Sequence, residues 1–189
     1  MKQTIIALYL ITSSYSLAAQ LTISPGAVFQ LSGNAQLTLQ NTDLVNNGNF
    51  SAGNSKVLFT GNAPSSVSGS MPVQFYELEI KKTGSGTVAL QREVYVAQQI
   101  TFVAGLLRLN NFNLDLGTTG FLTGESETSR ITGANGGQVL FTTTLNNPSS
   151  VNPANLGAII PSPQNVGTVL IKRGHQSQVN GSNMGSSVL

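Results

Sequence analysis

Pairs of apolar residues two positions apart recur at short intervals, and this repeat constrains the fold more than any other feature of the chain. Such spacing places both side chains on one face of a strand. Between positions 88 and 116 the groups begin 6, 6, 7 and 5 residues apart, which leaves no room for helices: Val88/Leu90, Val94/Val96, Ile100/Phe102, Leu107/Leu109 and Phe112/Leu114/Leu116. Glycines and asparagines at or near the junctions tolerate tight bends. The segment therefore predicts short strands separated by bends.

A longer period overlies the short one. Apolar positions recur 20, 21, 22 and 22 residues apart, with a weaker repeat 17 residues later: Leu37/Leu39, Val57/Phe59, Leu78/Ile80, Ile100/Phe102, Leu122 and then Val139/Phe141. Three strand-and-bend units make one coil of a right-handed parallel β-helix with about 20–22 residues per coil. Stacking the coils about 4.8 Å apart buries side chains that one thin coil cannot bury.

The alternative fold is an antiparallel β-sandwich, whose strands recur every 8–12 residues or so. The strands predicted here are shorter and closer together, and hairpin signals such as Asn47-Gly48 are few. The β-helix is therefore favoured. Asparagine is abundant between positions 34 and 62, and stacked asparagines can hydrogen-bond from coil to coil.

Composition narrows the possible chemistry. Of the 189 residues, nine are Lys or Arg and seven are Asp or Glu, so charged residues make up 8%, against about 25% in ordinary domains. The net charge of +2 is too small to indicate nucleic acid as a partner. The chain has no cysteine and one histidine, His175, which excludes thiolate sites, a thiol nucleophile and multi-histidine metal sites. No cofactor is predicted.

The first nineteen residues have the pattern of a secretory signal peptide. Lys2 precedes the apolar run Ile5–Ile11, and small residues lead to Ala18-Ala19. The run is too short to span a bilayer, which takes about 20 residues, and no later segment is long and apolar enough. We predict a signal peptide at 1–19 and a mature chain that loses Lys2, with a net charge of 8 − 7 = +1.

Two further regions follow. Residues 20–141 hold the predicted coils, and residues 142–189 form an irregular segment with four prolines between 148 and 163. Within it, Asn152–Gly157 predicts a single helical turn, with Asn152 as cap and Pro153 at the first position. Residues 167–174 predict one strand, and 176–189 form a polar tail.

Paired carboxylates are the first candidates for catalysis. Glu77 and Glu79 alternate with Leu78 and Ile80, which places them on one strand face about 6–7 Å apart. That separation is near the range for inverting glycosidases. A solvated outer face, balanced by the lysines at positions 81 and 82 (Lys81 and Lys82), is the favoured interpretation.

The other ionisable residues are scattered along the chain. Glu125 and Glu127 lie in a predicted loop with Arg130 as neutralising neighbour, which is a weak case for calcium. Asp115, with Arg92 and Arg108 in preceding segments, and the isolated Asp43 are sparse for a catalytic groove. His175 has no acidic residue within forty-five positions to orient it for a triad. No catalytic, cofactor-binding or metal residue is therefore predicted.

Several segments together resemble the large secreted and surface β-solenoid proteins of Bacteroidota. The resemblance lies in 56–61, 75–84 and 88–116, followed by 156–160 and 167–175, which look like the region after their solenoid. Such proteins commonly continue into β-sandwich modules and a C-terminal sorting domain for type IX secretion. Neither is found here, so the resemblance implies an N-terminal fragment or truncated product, with 142–189 as a junction to a missing domain.

The sequence thus predicts an exported, non-enzymatic β-solenoid, outside the cell or on its outer surface. It would act as a structural stalk or as an adhesive module that contacts glycans or other surface proteins. The alternative is a fragment of a carbohydrate-active β-helix enzyme, a polysaccharide lyase or hydrolase that uses Glu77, Glu79 or Asp115.

Overall fold

The computed structural model describes residues 19–176, 178–180 and 183–185. It is 57% strand and 2% helix, and its parallel coils stack into a β-solenoid of about six turns. The predicted β-helix is therefore confirmed. The signal peptide predicted at 1–19 lies outside the described residues, apart from Ala19, and so does much of the polar tail.

Short strands follow one another along the chain. Their bounds are β1 (Ala19–Ile23), β2 (Val28–Gln30), β3 (Gln36–Gln40), β4 (Thr42–Asn46), β5 (Asn49–Ser51), β6 (Lys56–Gly61), β7 (Ser65–Ser68), β8 (Val73–Lys82), β9 (Thr87–Leu90), β10 (Val94–Arg108), β11 (Leu114–Asp115), β12 (Phe121–Thr123), β13 (Ser129–Thr132), β14 (Gln138–Asn146), β15 (Asn165–Gly174), β16 (Gln178–Asn180) and β17 (Asn183–Gly185), with one 3₁₀ turn, η1 (Pro153–Asn155).

The coils have three faces. Face A consists of β1, β4, β7, β9, the end of β10 and β13, all paired in parallel. Face C consists of β3, β6, the second part of β8, the middle of β10 and β12, also parallel. Face B lies between them and contains β2 and β5, then the starts of β8 and β10, followed by β11 and β14.

The register of face C confirms the predicted long period. Leu37, Val57, Leu78, Ile100 and Leu122 lie opposite one another on successive strands. The weaker repeat was wrong as part of this ladder, since Val139 pairs with Leu114 on face B. The reason is the order of the faces: β13 on face A intervenes after β12, so the next strand belongs to face B.

Inward side chains form continuous columns through the coils. Val57, Phe59 and Ile80 are each 0% exposed, and on face B the rings of Phe29 and Phe50 stack with centroids 6.0 Å apart. The corners need close backbone approach. Gly105 has φ +86°, and a Cβ there would lie 2.7 Å from the Cβ of Lys82 in the coil before it.

Face B is interrupted between the second and third coils. Within the described residues, β2 and β5 form a separate two-stranded sheet, and no backbone ladder joins β5 to β8. Bonds from Met71 N–H to Asn46 O (2.9 Å) and from Glu77 N–H to Ser55 O (3.4 Å) flank the gap. Pro72 begins the unpaired stretch, and proline has no N–H to donate to a ladder.

The last coil closes differently. The strand β15, which includes the predicted strand 167–174, pairs antiparallel with β14. The predicted turn is present as η1, although the side chain of Asn152 caps no helical N–H and instead accepts the Gly157 N–H at 3.0 Å. The Asn155 amide docks it on the solenoid by donating to Leu122 O at 3.0 Å. The short antiparallel pair of β16 and β17 was not predicted.

Candidate functional site

Polar side chains at the coil corners bond to the neighbouring coil. The Asn110 amide donates to Leu90 O at 2.7 Å, and Asn41 donates to Asn62 Oδ1 at 3.4 Å. Asn47 Oδ1 accepts the Ser70 N–H at 2.9 Å. These partners are 20, 21 and 23 residues apart, about one coil. The bond between Asn41 and Asn62 confirms a predicted contact between stacked asparagines, and the other two amides bond to the backbone of a neighbouring coil.

Asn46 performs this role at the gap in face B. Its side chain is 0% exposed, and its amide donates to Pro72 O at 2.7 Å. Its Oδ1 accepts the Gly48 N–H at 3.3 Å. The side chain therefore spans the coils where the backbone ladder is missing.

The prediction that Lys82 balances Glu77 and Glu79 on the outer face was wrong. Lys82 continues the alternation of Leu78 and Ile80 and points inward, with 1% exposure, while Lys81 is exposed. Its ammonium donates to Thr60 O at 2.7 Å and to Ser65 Oγ at 3.0 Å. Burial lowers the pKa of Lys82, and the nearby charge of Asp43 partly opposes that shift. Lys82 thus satisfies interior acceptors at a corner.

Glu77 and Glu79 do lie on one face of β8, alternating with buried residues. Their cation is Lys56 of the preceding coil, whose Nζ lies 3.1 Å from Glu79 Oε2 and 3.9 Å from Glu77 Oε2. Because Lys56 is directly opposite Glu77 in the ladder, the three charges form a contact between coils. Both carboxylates face the same ammonium group and are partly exposed, so their contacts do not assign one as an acid and the other as a base.

The predicted aspartate candidates are also engaged locally. Asp115 Oδ1 accepts the Gly117 N–H at 2.8 Å, and Asp43 Oδ1 accepts the Ser66 N–H at 2.6 Å. Arg92 donates to Gly69 O at 2.7 Å, and Arg108 is exposed. Within the described chain neither arginine forms an ion pair with Asp115. The structure therefore does not bring these residues together as a site.

A charged cluster lies where β15 meets the last coils. Arg173 makes a two-pronged contact with Glu125, with nitrogen–oxygen distances of 2.7 and 2.8 Å. Glu125 Oε1 also accepts the Ile131 N–H at 3.1 Å. The prediction that Arg130 neutralises Glu125 was wrong. Antiparallel pairing of β15 instead brings Arg173 to Glu125 from 48 residues away. Glu127 is exposed in the same loop.

His175 lies beside this cluster. Burial and the positive charges of Arg173 and Arg130 lower the pKa of His175 to about 4, while Glu125 opposes the shift. A carboxylate is thus close in space although it is distant in sequence. Among the described residues His175 Nε2, Arg173 Nε and the Oγ of Ser129 are buried without a hydrogen-bond partner. The histidine is neutral at neutral pH and belongs to the junction of β15 with the coils.

Two adjoining clefts open at the gap in face B. One has a volume of about 300 Å³ and is lined by residues that include Ser51 and Tyr76. The other has a volume of about 690 Å³ and includes Val28 and Met71. Asn49, Phe50 and Gln74 line both clefts. The sequence analysis did not identify these residues; Pro72 within a strand repeat was the signal that could have pointed to them.

The described residues hold no cluster of three His, Asp or Glu side chains able to bind a metal ion. No helix among them has the length and apolar character that crossing a membrane requires. The two clefts at the gap in face B are lined by uncharged residues, whereas two other clefts have charged linings, one with Glu125 and Arg173 and one with Lys82, Arg108, Glu127 and Arg130.

Comparison of the chain with protein families, curated proteins and solved structures found no match.

Proposed function

We propose that this chain is a non-enzymatic structural module of an exported protein, a stacked spacer whose uncharged flank contacts glycans or other surface proteins. The observation that carries the proposal is the use made of its polar side chains. Asn46, Lys82 and Glu79 each bond to a neighbouring coil. Selection of polar residues for coil contacts suits a spacer, because each contact joins units that cannot fold alone.

Export and surface location rest on the sequence. The apolar run after Lys2 supports a signal peptide, and the resemblance to Bacteroidota surface solenoids supports a place outside the cell. A fusion of residues 1–19 to a reporter active only after export tests this part. Export of the fusion, with retention when Ile5–Ile11 is interrupted by two aspartates, is the expected result; retention of both would contradict it.

Glycan contact is tested with the purified full chain on an array of neutral and anionic glycans. The expected result is saturable binding to a subset of neutral glycans. Uniform absence of binding to glycans and to intact cells would overturn the contact role and leave only the spacer.

The carbohydrate-active enzyme remains the competing proposal. It needs a free carboxyl pair, whereas Glu79 is paired with Lys56 and Asp115 accepts a backbone N–H. Assays for new reducing ends and for unsaturated products on pectin and alginate discriminate between the two. Turnover that disappears in Glu79→Gln or Asp115→Asn would replace the structural proposal.

A further inference from the structure

We propose that the two clefts at the interruption of face B form one binding groove for a neutral oligosaccharide. This inference rests on the glycan-contacting part of the proposed function and assigns it to specific residues. The groove crosses face B between the second and third coils, and Asn49 and Gln74 line both of its halves.

The interruption supplies hydrogen-bonding groups that other coils use internally. Within the described residues no ladder joins β5 to β8, so the backbone groups of these two strands that face the gap are not paired with each other, although Asn46 occupies the carbonyl of Pro72. Elsewhere, neighbouring coils of the solenoid bond to each other on every face. Buried or cleft-facing polar backbone groups need water or a ligand as partners, and hydroxyl groups of a sugar can supply both donors and acceptors.

Three polar side chains of the described chain that line the groove have no hydrogen-bond partner in it. In the described part of the chain, the side chains of Asn49, Gln74 and Tyr76 make no hydrogen bond, whereas Asn46 and Asn47 close by are both engaged. Gln74 is exposed, and Tyr76 is half-buried. Amide and phenol groups that are fixed by a strand but unpaired can bond a ligand without breaking an internal contact.

The uncharged lining of the groove indicates the class of ligand. None of the described residues lining either cleft is charged, so an anionic ligand would lose hydration without gaining an ion pair. Apolar surface is present too, since Val28 is 67% and Met71 45% exposed. A neutral sugar presents hydroxyl edges and apolar ring faces, and it matches amide, phenol and apolar groups together.

The orientation of the stacked aromatic rings changes where the groove lies. Phe29 and Phe50 stack with their planes at 18°, whereas Phe50 and Phe75 meet edge to face at 71°, with centroids 5.8 Å apart. The change in ring orientation coincides with the missing ladder and with Pro72. Phe50 lines both clefts.

The test is calorimetry on the full chain with neutral hexasaccharides of glucose, xylose and mannose, and with oligogalacturonate as the anionic probe. At least one neutral hexasaccharide should bind, and Gln74→Ala and Tyr76→Ala should each weaken it about tenfold, as expected for the loss of one or two polar contacts. The control Gln98→Ala removes a glutamine outside both clefts and should leave affinity unchanged. Tyr76→Phe separates the hydroxyl from the ring.

Three outcomes would overturn the groove. The first is neutral binding that survives both groove substitutions, which would leave glycan contact intact but place it elsewhere. The second is preference for oligogalacturonate, which would contradict the charge argument. The third is absence of binding to every hexasaccharide. If the glycan array shows binding, this result overturns only the groove. If the array shows none, the proposed glycan contact is overturned as well.

Discussion

Faces B and C are built from the same repeat but differ in continuity. Face C pairs without a break from β3 to β12, whereas the ladder of face B stops between β5 and β8. Face C continues with mixed inward columns such as Leu39, Phe59, Ile80 and Phe102 and with paired backbones. Pro72 and the edge-to-face ring of Phe75 accompany the break in face B. The same repeat can therefore give either a continuous stacking face or a face with an interrupted ladder.

The largest expected effect tests the packing of the two faces. Phe59 is 0% exposed in the column of face C, so Phe59→Ala should lower the free energy of unfolding by about 3–5 kcal/mol. Phe50 is 6% exposed beside the clefts, so Phe50→Ala should cost less, about 2 kcal/mol, because solvent can fill the space. Urea unfolding followed by circular dichroism measures both. Equal losses would remove the energetic distinction between the faces.

A second prediction concerns the side chain that bridges the gap. Asn46→Ala leaves the Gly48 N–H without its acceptor and removes the donor to Pro72 O, so we expect a loss of about 2–3 kcal/mol. The exposed Asn54 provides the matched control, and Asn54→Ala should change stability by less than about 0.5 kcal/mol. A small effect at Asn46 would mean that the gap needs no bridge.

The closing strand gives a third test, at the far end of face B. Glu125→Ala removes both bonds to Arg173 and the acceptor of the Ile131 N–H. It should destabilise the protein by about 1–2 kcal/mol and increase amide hydrogen exchange in β15. Glu127→Ala changes an exposed glutamate of the same loop and serves as control. Unchanged exchange in β15 would show that antiparallel pairing alone holds it.

The fourth prediction concerns the pH dependence of stability that His175 contributes. Its pKa is about 4 in the folded chain, against about 6.5 when unfolded, so the unfolded chain binds more protons between these values. Stability should rise with pH from 4 to 6.5 and level off above that. Arg173 and Arg130 oppose the protonated form and Glu125 favours it. Thermal unfolding of His175→Gln should show a weaker slope in that window; an identical slope would assign it to carboxylates.

The sequence predicted which side chains point into the solenoid, but it did not predict which distant residues contact each other. Spacing alone predicted the face C ladder from Leu37 to Leu122, because a stacked repeat makes register a matter of counting. The same counting misplaced Val139, since an intervening face A strand is invisible to a single period. Lys82 continues an inward alternation, but its charge suggested the surface. Glu125 and Arg173 meet through antiparallel pairing, and no local pattern encodes that contact.

The central claim is that residues about 21 positions apart lie one coil apart in register. Because the chain has no cysteine, spin labels can be placed at will on the outward column of face C that contains Thr38, Thr101 and Thr123. Double electron–electron resonance should give Thr38–Thr101 and Thr38–Thr123 separations that differ by the height of one coil, about 5 Å. A Thr38–Thr123 distance that is not longer than the Thr38–Thr101 distance would contradict the stacked-coil account.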